Sequence, residues 1–209
     1  MMPIRKVIMM FCFLFCFTSV VTAEIDETAM ASQVVQGFQA ELLDVMQQGD
    51  KLNFEQRFEQ LKPVVLKSHN MAKITRIVVS KEWKNLSLEQ KKELVQEFSK
   101  LSITSYAHYF NSFSGESFKI VSAEHVVKGE KVVPNQIYVH TYLILPDEKD
   151  VSMDYLLKKK GDNWRIINII SNGVSDLALK RAEYKAVLEK SGYDGLLAEL
   201  SVKIKSFSN

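Results

Sequence analysis

Cysteine is nearly missing from this chain, and its only two, Cys12 and Cys16, sit close to the N-terminus. Glycine and proline are also scarce, with eight and four in 209 residues. There is no Pro/Gly-rich linker, no internal repeat, no low-complexity tract and no Gly-rich loop of the kind that cradles phosphates. A single domain is the simplest organisation. Histidine is limited to His69, His108, His125 and His140, which fall on different expected elements and form no His-Glu-x-x-His pair. No Gly-x-Ser-x-Gly elbow occurs, so the usual serine-hydrolase geometry has no support. No spacing of Asp, Glu or His suggests a metal, no cofactor motif is present, and no base stands beside a nucleophile. The residues give no reason to expect an enzyme.

What the N-terminus does have is a leader pattern. Arg5 and Lys6 precede an apolar stretch, Val7 to Val21, and Val21-Thr22-Ala23 supplies short residues for a signal peptidase. The apolar stretch is shorter than the ~20 residues a spanning helix needs. Phe13-Leu14-Phe15 before Cys16 lacks the small residue of a lipoprotein site. The expectation is a cleaved signal over residues 1–23 and one exported domain over 24–209. Both cysteines leave with the leader, which excludes disulfides, Cys-ligated zinc and thiol catalysis. Arg5 and Lys6 leave too, and the remaining cationic and anionic side chains balance. That removes global attraction to nucleic acid.

Helical periodicity fills the first half. Met30, Val34, Phe38, Leu42, Val45 and Met46 mark one helix, ended by Gln47-Gln48-Gly49-Asp50. Phe54, Phe58, Leu61 and Val65 mark a second, which Pro63 is expected to break or kink. A third runs from about Asn70 with Met71, Ile74, Ile77 and Val78 on one side. Ser87-Leu88-Glu89-Gln90 is a capping box opening a long helix that carries Leu94, Val95, Phe98, Leu101, Tyr106, Tyr109 and Phe110. Strand alternation fills much of the second half. Ile137, Val139, Thr141 and Leu143 face one way, while Tyr138, His140, Tyr142 and Ile144 face the other. Val151, Met153, Tyr155 and Leu157 repeat the pattern. Short polar turns at Lys128-Gly129-Glu130-Lys131, Pro146 to Asp150 and Gly161-Asp162-Asn163 favour an antiparallel meander. The last fifth, from Trp164, is a strand, an Asn172-Gly173 turn, an amphipathic helix, a Gly-Tyr-Asp-Gly break and a second helix. The fold class is α+β: a helical N-terminal half, a curved antiparallel sheet and two C-terminal helices.

Two features have functional readings besides bland ones. Lys158-Lys159-Lys160 is either a solvated hairpin end or a contact for an acidic headgroup or partner surface. Trp83 and the run Tyr106, Tyr109, Phe110 and Phe113 are either core and rim, or the wall and mouth of a pocket.

The order of motifs resembles the MlaC, or toluene-tolerance, family. The resemblance runs from about Phe54 to Leu200. It is carried by Arg57-Phe58 with Leu61-Lys62-Pro63, Met71 to Ile77, Trp83, Leu88-Glu89-Gln90, Thr104-Ser105-Tyr106-Ala107 and Val151-Ser152-Met153-Asp154-Tyr155. It continues through Trp164-Arg165-Ile166, Gly173-Val174-Ser175, Ala182-Glu183-Tyr184 and Gly192-Tyr193-Asp194-Gly195-Leu196-Leu197. Two positions depart from the pattern: Asn168 stands where the family often has an acidic residue, and Asn172-Gly173 stands for Glu-Gly. The segment Leu177 to Glu183 has the flavour of a hopanoid-associated branch.

The resemblance implies an NTF2-like cone with an apolar cavity, and a periplasmic carrier of phospholipid or a hopanoid-type lipid. The implied partners are the MCE-domain subunit of an inner-membrane ABC transporter and an outer-membrane lipoprotein complex. The expected cavity walls are Leu61, Val65, Ile74, Ile77, Trp83, Phe98, Leu101, Tyr106, Phe110, Val139, Met153, Tyr155 and Val174. The competing expectation is a non-catalytic envelope interaction module with a filled core.

Overall fold

The structure is a computed structural model that describes residues 26–208; the expected leader lies outside the described residues. Helix α1, Glu27–Gln48, starts at Asp26, whose carboxylate accepts from the Thr28 and Ala29 amides. It stops at Gly49, which takes a φ of 50°. Helix α2, Phe54–Ser68, opens with a capping box between Asn53 and Gln56. Of the expected break or kink at Pro63, the break does not occur: the helix runs through it. Pro63 and Glu59 both lie on the exposed side, so the carbonyl that loses its partner faces water. Helix α3, Met71–Val79, is capped by Asn70. Helix α4, Leu88–Tyr109, opens with the expected box of Ser87 and Gln90 and ends with Phe110 as its cap.

Five strands come next: β1, Ser117–Lys128; β2, Lys131–Ile144; β3, Val151–Lys160; β4, Asn163–Ser171; and β5, Val174–Ser175. They form one antiparallel meander in chain order. Asn172 and Gly173 both have positive φ, 49° and 80°, the requirement of a type I′ hairpin turn between β4 and β5. Helix α5, Asp176–Ser208, is divided at Gly192, whose φ and ψ of 66° and −164° are not helical. At Gly195 a Cβ would sit 2.2 Å from the Ser191 Cβ. The two glycines therefore make a break that side chains would obstruct, and the two expected C-terminal helices meet there.

Strand alternation buries Ile137, Val139 and Thr141 of β2 with Met153, Tyr155 and Leu157 of β3 on one face. Helices α1 and α2 and the C-terminal half of α4 cover that face and complete the first hydrophobic cluster. Helices α3 and α5 with α4 up to Leu101 build the second, around Leu94, Phe98, Leu101, Tyr184, Leu196 and Leu200.

Candidate lipid-binding site

A cleft of about 490 Å³ lies between α1, α2 and the β3–β4 turn. Its apolar lining is Met30, Val34, Phe38, Val64 and Trp164. Gln33, Glu41, Lys67, Asp162, Asn163 and Arg165 contribute polar groups. Gly37 of α1 faces the cleft, and a Cβ added there would meet nothing within 4 Å. Trp164 is 2% exposed, yet among the described residues its Nε1 has no hydrogen-bond partner. A buried indole N–H normally finds an acceptor.

Behind the cleft, the first cluster holds two polar sets. Gln39 Nε2 donates to Thr141 Oγ1 at 3.0 Å and Tyr155 Oη at 3.3 Å. Thr141 Oγ1 in turn donates to the Met153 carbonyl at 2.9 Å. In the second set, Ser68 donates to the Val64 carbonyl, so its oxygen accepts from His69 Nδ1 at 2.9 Å. That leaves His69 Nε2 to accept from Tyr106 Oη at 3.1 Å. Burial, with a smaller contribution from the Lys180 charge, pushes the His69 pKa down to about 3. Burial likewise raises the Tyr106 and Tyr155 phenols. The Phe38 ring packs edge-on against His69, Tyr106 and Tyr155, and so joins the two sets at the inner wall of the cleft.

The thirteen residues expected to form walls do not share one space. Leu61, Val65, Val139, Met153 and Tyr155 belong to the first cluster, with Tyr106 and Phe110 packed against it. Phe98 and Leu101 belong to the second, flanked by Ile74 and Trp83. Ile77 lines a shallow groove between α3 and α5 with Leu177 and Ala178. Val174, on β5, is 53% exposed. None of the thirteen lines the cleft beside Gly37. Met30, Val34 and Phe38 were visible as a helical stripe, and Trp164 as a strand residue; their convergence needed the packing of α1 across the sheet. The gap itself had a faint signal, a lone glycine inside a helical pattern.

The residues that depart from the family pattern have structural roles. Asn168 Oδ1 accepts from Ser175 Oγ and from the Leu177 amide, and so caps α5. Asn172 Oδ1 accepts from the Ser152 amide. The histidines are dispersed: His108 bonds the Phe207 carbonyl, and His140 lies on the outer sheet face between Asp154 and Glu124. Among the described residues, no three His, Cys, Asp or Glu side chains gather as metal ligands. No described helix is long and apolar enough to cross a membrane.

No curated protein matches the chain. Among solved structures, the fold is similar to that of a phospholipid-binding protein from Ralstonia solanacearum, determined in complex with a phospholipid. The TM-score is 0.70 at 17% identity, covering 87% of this chain and 98% of that one. The MlaC protein family matches residues 36–202, so across most of its length the chain belongs to the MlaC family.

Proposed function

We infer that this protein is a periplasmic carrier of phospholipid, exported by a leader cleaved after residue 23, and not an enzyme. Family membership over residues 36–202 carries the reading. The fold shared with a protein that holds a phospholipid supports it. A diacyl lipid exposes some thirty methylenes to water at ~0.8 kcal/mol each, on the order of 25 kcal/mol, so a soluble carrier must offer an apolar substitute.

The tails enter at the cleft beside Gly37 and extend between the inner sheet face and the helices. There Leu61, Val65, Tyr106, Phe110, Val139, Met153 and Tyr155 become the walls. Ligand sites for drug-sized molecules span ~300–1,000 Å³, and two acyl chains need the upper end or more. At about 490 Å³ the cleft must widen, by α1 or α2 moving off the sheet. The headgroup stays at the mouth near Lys67 and Arg165. The lipid passes between an inner-membrane MCE-domain transporter subunit and an outer-membrane lipoprotein complex.

Solvent extraction and native mass spectrometry of the purified protein test this. The expected result is one two-chain phospholipid per molecule, lost in a folded Gly37→Phe variant whose ring fills the cleft. A polycyclic hopanoid in its place would keep the carrier and change the cargo. A lipid-free protein that takes up none from vesicles would overturn the reading. The filled inner face would then favour an envelope interaction module.

A further inference from the structure

The β1–β2 hairpin outruns the rest of the sheet. The last pairing of β2 with β3 is Gln136 to Lys158, so the hairpin from Val127 to Val132 has no neighbour on β3. Its register breaks at the base: His125 pairs with Ile137, but Val127 already pairs with Val132. Val133, Pro134, Asn135 and Gln136 therefore oppose Val126 alone, and Asn135 takes a φ of 59°. An irregularity of this kind bends a strand and turns the residues beyond it in a new direction. Here the residues beyond it are an apolar and basic tip. Val127 and Val132 face each other at 59% and 58% exposure, and Lys128 sits directly opposite Lys131. Like charges placed opposite each other across strands destabilise a hairpin. Among the described residues neither lysine has an ion-pair partner.

The charge at this end of the sheet is continued by the β3–β4 turn. Among the described residues Lys158, Lys160 and Arg165 have no acidic partner there, while Lys159 is held by Glu27. The carboxylates at the same end are Glu130, Asp162, Glu27 and Asp26, so cations are in excess. The opposite end has the reverse sign: Glu116 precedes β1, and the β2–β3 loop carries Asp147, Glu148 and Asp150 against Lys149 alone. A molecule near neutral overall is thus polarised along its strands, and a charged surface would orient it. The cleft beside Gly37 opens at the basic end, since Asp162 of the β3–β4 turn and Asn163 and Arg165 at the start of β4 help line it.

We propose that the β1–β2 tip is a membrane-docking wedge: Val127 and Val132 insert among headgroups of an anionic bilayer, while Lys128 and Lys131 bind lipid phosphates. Docking by this tip sets the mouth of the cleft against the membrane. The proposal takes its purpose from the carrier reading, but its test does not depend on what the protein carries.

The full chain is expressed with its own leader, purified as the cell leaves it, and sedimented with phosphatidylglycerol-containing or phosphatidylcholine-only vesicles. Binding is expected to the anionic vesicles alone and to fall in high salt, where exposed charges are screened. Each lysine held near an anionic surface accounts for a change of about fivefold, so Lys128→Glu with Lys131→Glu weakens binding at least ~25-fold. Circular dichroism confirms folding of that variant. A Glu130→Cys site carrying an environment-sensitive dye shifts to the blue on anionic vesicles, and the same dye at Glu148→Cys does not. No vesicle binding, binding indifferent to lipid charge or to the lysines, or a shift at position 148 and not at 130 overturns the proposal. Loss of bound cargo without loss of vesicle binding would sink the carrier reading and leave the wedge.

Discussion

On the sheet side, buried polar side chains bond one another across the chain; in the bundle of α3, α4 and α5 the buried hydroxyls of Thr75 and Ser99 bond along their own helix. Gln39 reaches Thr141 and Tyr155, and His69 reaches Tyr106. In the bundle, Thr75 and Ser99 donate to the carbonyls of Met71 and Val95, four residues back. The Tyr184 hydroxyl has no hydrogen-bond partner among the described residues. The two regions also differ in filling. The centre of the bundle is filled by Phe98, Leu94, Leu196 and Leu200, whereas the sheet side has a cleft that reaches the buried Phe38 and Trp164. The bundle therefore behaves as a scaffold. The sheet side holds its side chains in register through directional bonds and carries the cleft beside Gly37.

Acid should separate the two regions most strongly. Unfolded His69 titrates near 6.5, but the native side chain stays neutral down to about 3. As pH falls below 6.5 the unfolded chain binds a proton that the native state refuses. Stability is full above 6.5, declines between 6.5 and about 3, and is flat below. The gap corresponds to about 5 kcal/mol as an upper order of magnitude. Denaturant midpoints against pH for the native chain and His69→Gln check it, with the difference between the two slopes as the readout. Equal slopes would show that His69 is not protected.

Next in size is truncation in the bundle. Phe98→Ala should cost ~3–5 kcal/mol by removing a fully buried ring, with bound lipid per folded molecule unchanged. Chemical denaturation and extraction measure the two halves of that statement. Smaller, and opposite in sign, are two identical substitutions. Tyr155→Phe removes an acceptor from Gln39 and should cost ~1 kcal/mol, whereas Tyr184→Phe removes an orphan hydroxyl and should be neutral or stabilising by up to ~1 kcal/mol. Thermal melts of the two variants would erase the contrast if both moved the same way. The mildest test is Gly37→Ala, which should stabilise α1 by ~0.5–1 kcal/mol, since the added methyl meets open space.

Helix starts were legible because capping is local. Ser87 with Gln90 and the Asn172-Gly173 turn depend on a few consecutive residues, and both are present as expected. Strand faces were legible because alternation has only two outcomes, and it puts Thr141 and Tyr155 on the same side of the sheet. The fate of Pro63 was not legible, because it depended on which side of α2 meets solvent. Nor was the division of the expected walls. Helix α4 turns Phe98 and Leu101 toward α5, and Tyr106 toward the sheet. Periodicity says that each faces inward, but a single helix can serve two interiors.

By itself, then, the order of residues determined the elements, their caps, the meander and the family pattern, because all of these are written over short spans of chain. Tertiary structure alone decided where the gap lies, that His69 and Tyr106 meet, and that the basic turns gather at one end of the sheet. Those depend on how α1 and α2 cross the strands, through contacts between residues far apart along the chain.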